Sequence, residues 1–463
     1  MNNLIIYVSV MTAFLVTGCS MHHTSLNEYS TENSAAEINR HYETGDIFAF
    51  TFTETESNTG KASDELSLPD ALDLALRQNP QLAVSATEIR SRDAAALQAG
   101  LLENPELEVE VENFGGDDEL EGFDSSEMKI ALSQLIELGG KRGRRRNVAL
   151  LEKKLAEWDL ETEKLDLISD TAILFVHVLA AQELVALNDE LVRIAEQSAK
   201  AVQERVDAGK IAPVEKYRAQ VELSAARSKA HRARRDLEAA RSRLAASWGS
   251  DSARFLKVTG DLTEMTSLPD TENLEDLLNS NPDLARWNTE IDKSKAGLKL
   301  ARSEAIPDLT VSAGVTASRE SDNHSFSVGL SIPLPLFNRN QGGVREALAN
   351  LDKTREKFQS ENIALKTKLT EAINNLEAAR SEAVILRDEI LPSAKEAYKL
   401  TELGYSRRSM DFLQMLDAQR TLFNVRREYL EALETYHLAN IEMARIIGIF
   451  SQERNDITHD SKE

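Results

Sequence analysis

Apolar positions along this chain follow two periods, and the whole arrangement occurs twice. From Asn79-Pro80-Gln81-Leu82 the pattern is helical. Between Glu106 and Glu112 it switches to alternation, with Leu107, Val109 and Val111 set between glutamates. After a Gly/Asp-rich stretch from Gly115 to Gly122, Met128, Ile130 and Leu132 alternate with Lys129, Ala131 and Ser133. Helical periodicity then returns, and residues 144 to about 206 contain neither Pro nor Gly. The same succession reappears about 200 residues later. Asn79-Pro80-Gln81-Leu82 recurs as Asn281-Pro282-Asp283-Leu284, and Pro105-Glu106-Leu107 as Pro307-Asp308-Leu309, each 202 positions on. Ala131-Leu132-Ser133 matches Gly329-Leu330-Ser331 at 198, and Ala219-Gln220 matches Ala418-Gln419 at 199. Four anchors at nearly one offset define two structural repeats.

Each repeat predicts one layout. A short helix (69–78, 271–280) precedes Asn79 or Asn281, which reads as an N-cap with Pro in the first helical position. The helix so begun runs to about Asn104 or Ala305, where Pro105 and Pro307 end it. Two alternating segments per repeat give four strands, each with one apolar and one polar face; in the second repeat Leu309, Val311, Ala313 and Val315 oppose Asp308, Thr310, Ser312 and Thr316, and Phe326, Val328, Leu330 and Ile332 return. A very long helix follows each hairpin. Positions 151, 155, 158, 162, 165, 169, 172, 176 and 179 are apolar in seven of nine cases, a coiled-coil seam over a helix of roughly 95 Å. Its counterpart spans about 342–403. Turns at Ala208–Pro213 and Gly404–Ser409 lead to returning helices, about 213–248 and 410–448. The two shorter helices of a repeat together match its long helix, so they can stack end to end beside it, with 249–270 as a connector at mid-height. The fold class is mixed α and β, mainly α.

Four amphipathic strands cannot close a barrel alone, because a membrane barrel needs at least ~8 strands and no open edge. Two solutions remain open on patterning: an oligomer in which each chain donates four strands, or a soluble sheet packed on helices. Composition narrows the function. Lys plus Arg is 54 against 77 Asp plus Glu, a net charge of −23, which argues against nucleic acid as a partner. The single cysteine excludes an internal disulfide framework and multi-Cys metal sites. Helical segments lack the ~18 uncharged apolar residues of a membrane-spanning helix.

The N-terminus reads as an address. Leu4 to Val16 is an apolar run of 13 residues, too short to span a bilayer and suited to a signal peptide, ending in Val16-Thr17-Gly18-Cys19. That ending resembles a bacterial lipobox, in which Cys19 is lipidated; the alternative is an ordinary cysteine beside a signal sequence. One acylated cysteine anchors and does not span. The organisation is therefore a signal peptide (1–18), a lipidated tether (19–63) with Ile47–Phe50 as a candidate docking strand, a first repeat (64–248), a connector (249–270), a second repeat (271–450) and a tail (451–463).

Four segments carry a family resemblance: Asn104-Pro105-Glu106-Leu107-Glu108-Val109-Glu110-Val111-Glu112-Asn113-Phe114-Gly115-Gly116, Leu132-Ser133-Gln134-Leu135-Ile136-Glu137-Leu138-Gly139-Gly140-Lys141-Arg142, Ile332-Pro333-Leu334-Pro335-Leu336-Phe337-Asn338-Arg339-Asn340-Gln341-Gly342 and Leu416-Asp417-Ala418-Gln419-Arg420-Thr421-Leu422. Over residues 64 to 450 the chain resembles the outer-membrane factors of the TolC family, and within it the heavy-metal, CzcC-like branch. The resemblance implies a homotrimer with a 12-stranded barrel in outer-membrane lipid above a helical tunnel. It also implies a periplasmic adaptor and a proton-driven inner-membrane pump of the RND type as partners. The chain would then be the passive exit duct for divalent heavy-metal cations. Two other readings are the same duct serving drugs or other small molecules, and a periplasmic coiled-coil lipoprotein without a channel.

Candidate residues follow from this layout. The tips carry Asp207, Gly209, Lys210, Arg407, Arg408 and Asp411, expected at the entrance where an adaptor docks; plain helix–helix turns, with Gly209 as C-cap, are the other reading. Rings formed by Asp207 or Asp411 would favour cations, and solvated turn charges are the alternative. Pro392 is the one proline inside a long helix and is expected to kink it, as a hinge or as a static bend. Lys141, Arg142, Arg144, Arg145 and Arg146 crowd a helix start, against its macrodipole, so they should meet anionic lipid or a neighbouring chain's acids. His22, His23, His177, His231 and His437 show no ligating spacing, and no nucleophile or phosphate-loop motif is present, so no metal site, cofactor or catalysis is assigned.

Overall fold

The computed structural model describes residues 64–116, 122–265, 278, 281–407 and 409–448. The expectations for Cys19, the tether, the 271–280 helix apart from Leu278, Arg408 and the tail fall outside those residues. In chain order the elements are β1 (Glu65–Leu66), α1 (Leu68–Gln78), α2 (Pro80–Ala99), β2 (Glu106–Glu112), β3 (Glu127–Ile136), α3 (Lys141–Asp207), α4 (Val214–Ala246), β4 (Lys257–Val258), α5 (Pro282–Ser303), β5 (Leu309–Ser318), β6 (Asn323–Ser331), α6 (Gln341–Ile385), α7 (Leu391–Ser406) and α8 (Phe412–Ile447). A π-helical turn, Leu386–Ile390, joins α6 to α7. The helix α2 stops at Gly100 rather than near Asn104. Gly100 and Leu101 donate their N–H groups to Leu97 and Gln98 in a tightened last turn, and glycine is a poor place to continue a helix.

The two Asn-Pro motifs are joints between helices. Asn79 Oδ1 accepts the N–H groups of Gln81 at 2.7 Å and Leu82 at 3.3 Å, capping α2, while its Nδ2 donates to Ser247 O at 2.7 Å, just past α4. Asn281 repeats this: Oδ1 accepts from Asp283 N at 2.7 Å, and Nδ2 donates to Ile446 O at 2.7 Å at the end of α8. One amide thus satisfies an orphan donor of the helix it begins and an orphan acceptor of the helix it follows in space. Gly249 and Gly448, at φ +77° and +74°, close α4 and α8 against these motifs. A Cβ on Gly249 would lie 2.9 Å from the Pro80 ring, and one on Gly448 3.2 Å from Asn281 Cα. The shorter helices therefore stack end to end, α2 on α4 and α5 on α8, beside the long ones.

Lateral packing orders the rods. Above the joints the neighbours run α2, α3, α5, α6; below them they run α4, α3, α8, α7. The sheet follows the same order, β2-β3-β5-β6, antiparallel throughout. The largest core lies at the level of the joints, where Leu68, Leu72, Phe175, Val176, Leu179, Leu244, Trp248, Val258 and Leu433 pack together. Although α3 is long and apolar enough to pass for a membrane-spanning helix by composition, its apolar stretch supplies this core. The β1–β4 parallel pair ties Leu66 to Val258 at the same height.

Candidate functional site

The register aligns side chains across all four strands. Leu107, Leu132, Ala313 and Val328 form one row, and Val109, Ile130, Val315 and Phe326 the next. This face is open to its surroundings: Val328 is 80% exposed and Phe326 73%. The opposite face carries Glu108, Ala131, Gly314 and Ser327 in one row and Glu110, Lys129, Thr316 and Ser325 in another. Lys129 Nζ reaches Glu110 at 3.1 Å and Glu108 at 3.7 Å. Ala131 is buried, and a Cβ on Gly314 would meet Ala131 Cβ at 3.0 Å and Ser327 Oγ at 3.1 Å. Small residues crowd the polar face, and the large apolar side chains stand on the other, open face. Such a surface suits lipid outside and water inside.

Below the sheet, the basic cluster finds partners within its own chain. Lys141 Nζ lies 2.7 Å from Asp308 Oδ2, Arg145 pairs with Glu137, and Arg144 Nη1 donates to Lys299 O at 2.6 Å. Lipid or a neighbouring chain is therefore not what holds these three cations. Acids arriving from the β3 exit and the β5 entry offset the opposed helix dipole. Burial pushes the Asp308 carboxyl up, but the Lys141 ammonium, the Leu138 N–H and Arg145 outweigh it and hold the group below the ordinary carboxylate range. A cleft of about 660 Å³ crosses all four upper helices, lined by Arg92, Asp159, Arg286, Trp287, Glu290 and Lys353 among others. Its acids are paired: Asp159 with Arg286 and Glu290 with Lys293.

The tips of the two repeats close differently. After α3, Gly209 at φ +68° forms a Schellman turn, with Lys210 N–H on Arg205 O and Gly209 N–H on Val206 O, both 2.9 Å. Asp207 and Lys210 are exposed, and Asp207 Oδ1 accepts from Gln203 Nε2 at 2.6 Å. In the second tip Arg407 is exposed, and Asp411 is the N-cap of α8 in a reciprocal capping box with Gln414. Thus Gly209 and Asp411 both have a structural duty. The tips are joined by an apolar plug of Val202, Ala219, Phe412, Met415 and Leu416, and the Arg205 guanidinium lies 4.4 Å from the Tyr405 ring centre. Tyr405 lies in the turn expected from the sequence, but its partner Arg205 was missed, because the two meet across 200 positions with no local signal.

Pro392 sits in the first turn of α7, directly after the π turn. Lacking an N–H, it leaves Asp388 O without its helical donor, and its ring crowds that carbonyl. The chain takes up the mismatch upstream, where Leu391 N–H bonds to Leu386 O five residues back. The expected interruption is thus a widened turn in a continuous helix. A groove of about 370 Å³ follows between α7 and α8, lined by Ala394, Ala397, Thr401, Gln414, Ala418 and Thr421. His177 Nδ1 lies 2.6 Å from Glu434 Oε1, and the buried His437 bonds through Nε2 to Leu262 O at 2.9 Å. Among the described residues no group of three His, Cys, Asp or Glu side chains is placed to hold a metal ion.

Known proteins place this architecture. The chain is 34% identical over 406 residues to the cobalt-zinc-cadmium resistance protein CzcC of Cupriavidus metallidurans, covering 86% of this chain and 96% of that one. It is 25% identical over 318 residues to the nickel and cobalt resistance protein CnrC of the same organism, covering 69% and 75%. The crystal structure of the Campylobacter jejuni CmeC outer membrane channel superimposes with a TM-score of 0.71 at 17% identity, covering 84% of this chain and 87% of that chain, which establishes the shared fold. The outer membrane efflux protein family matches residues 71–250 and 273–449, one segment in each repeat, and the chain belongs to that family.

Proposed function

We propose that three copies close head to tail into the exit duct of a tripartite efflux system for divalent heavy-metal cations. One observation carries the ring. The sheet and both helical tiers end on the same two sides, with β2, α2 and α4 on one and β6, α6 and α7 on the other. In a bilayer the free edges of β2 and β6 must be paired, and β6 meets β2 of another copy in antiparallel order. Two copies would give eight strands, an interior that side chains fill; three give a lumen. The polar face then lines the lumen. Cys19 anchors the chain to outer-membrane lipid, and the helices reach through the periplasm.

The duct is passive. A periplasmic adaptor docks at Asp207, Lys210, Arg407 and Arg408, and an RND-type inner-membrane pump supplies the energy. Pro392 and its π turn act as the hinge that opens the entrance. The likeness to the cobalt-zinc-cadmium and nickel-cobalt resistance proteins supports metal cations as cargo. Deleting the gene and measuring cell-associated zinc, cadmium, cobalt, nickel, copper and silver tests this. Accumulation of one or two metals, reversed by complementation, is the expected result. No change for any metal in a strain without a second exit duct would transfer the cargo to drugs or other small organic molecules.

A further inference from the structure

Immediately below the sheet, each open edge of the chain carries an uncovered apolar patch. After β6 the chain runs Ile332-Pro333-Leu334-Pro335-Leu336-Phe337 before α6 begins. Leu334, Leu336 and Phe337 are 73%, 65% and 91% exposed. Before β2, at the end of α2, Leu101 and Leu102 are 49% and 64% exposed. Single exposed apolar residues need no explanation, but two clusters at matching positions on opposite edges do.

Contacts within the chain put both patches at one height. Gly100 lies against the Arg146 side chain, since a Cβ there would meet Arg146 Cδ at 3.0 Å. Arg144, half a turn from it, donates to Lys299 O at 2.6 Å. Asn340, at the end of the Leu334–Phe337 loop, donates to Ala301 O at 2.8 Å. The patches therefore belong to the same layer, separated by the width of the four rods.

We infer that the Ile332–Phe337 loop of one copy packs on Leu101 and Leu102 of the next, forming an apolar clasp at the base of the barrel. This rests on the ring proposed above, and antiparallel closure dictates the neighbours. When β6 pairs with the next copy's β2, the segment leaving β6 runs beside the segment entering that β2. Those segments are the two patches. Two prolines, at 333 and 335, stiffen the loop and leave it few N–H groups, so it docks through side chains rather than by extending the sheet. The clasp is contiguous with the strand edges and has the same occupant, a second copy of this chain.

Paired cysteines test the clasp in the full chain. Leu101→Cys and Leu334→Cys lie at opposite edges of one copy, separated by at least the three ~4.8 Å strand spacings between β2 and β6. A disulfide inside one chain is therefore out of reach. The expected result is that the double variant, oxidised in membranes, runs on a denaturing gel as linked dimers and trimers, while each single variant stays monomeric. Phe337→Asp is expected to lower the temperature at which the wild-type oligomer dissociates, on the order of 10 °C, in detergent. Absence of linked species from an oligomer that persists on a native gel would overturn the clasp and leave the ring intact. The same holds if the fluorescence of Phe337→Trp is quenched by brominated lipid, which would assign the loop to the bilayer. A wild-type chain that stays monomeric in membranes would overturn the ring and the clasp with it.

Discussion

The two repeats share their upper joints and differ in their lower halves. Asn79 and Asn281 do the same work with the same atoms, and Gly249 and Gly448 receive them in the same left-handed conformation. The long helices do not match. α3 continues for 67 residues without a break, whereas its counterpart is divided by a π turn ahead of Pro392. Their tips also end differently, one in a Schellman turn and the other in a capping box. Duplication has kept the mid-height joint, which fixes one helix on another. It has let the lower half of the second repeat acquire a turn with weakened hydrogen bonding. The proposed hinge at Pro392 would use that asymmetry, an unbroken helix beside one with a π turn.

The largest expected effect is at the joints, and the two joints are not equivalent. Asn281 is fully buried, and it bonds to Asp283 N, Ile446 O and Arg445 O. Asn79 is half-buried and reaches one carbonyl. Asn281→Ala should destabilise the chain by roughly 3 kcal/mol, the loss of a cap plus an unpaired buried carbonyl, and Asn79→Ala by about half as much. Denaturant titration of the detergent-solubilised protein measures both; equal losses would break the ranking. Next is Pro392→Ala. It restores a donor to Asp388 O and should let the π turn revert to α-helix, changing leak through the closed duct in planar bilayers. Unchanged conductance would reduce the π turn to a static accommodation. At the tips, Gly209→Ala places a side chain at φ +68° and should cost about 1 kcal/mol. Asp411→Ala should cost a similar amount through the lost cap, so the two tips should prove equally sensitive.

The smallest effect is a pH dependence in the core. Burial pushes the His437 imidazole below its ordinary range, against the raising influence of the Leu262 carbonyl and Asp261. The native state therefore binds fewer protons than the unfolded state near the ordinary histidine pKa. Stability from this group is present above that value and declines as pH falls through the folded-state pKa. Denaturation midpoints at pH 7.5 and 5.5 should differ for the wild type and differ less for His437→Gln.

Much of this was legible along the chain because it is local. Alternation from Leu107 to Val111 and from Met128 to Leu132 marks strands whatever they pair with, and Asn-Pro marks a helix start at both sites. The asymmetry was half legible: Pro392 announces an interruption, but its form depends on which upstream carbonyls can tilt, and the answer was a π turn from Leu386 to Ile390. What could not be read were partners distant in sequence. The second bond of each Asn, to Ser247 or Ile446, lies more than 160 positions away. The cations after β3 suggested lipid or a neighbour because no acid stands in their own first turn. Their counter-charges are Glu137, one loop back, and Asp308, brought in by the other repeat.

The central claim is that this chain is an incomplete sector whose two open edges meet in other copies. Native mass spectrometry of the full-length protein extracted from outer membranes in mild detergent tests it most directly. The account predicts an assembly with three times the mass of the single chain. A monodisperse single chain would contradict it.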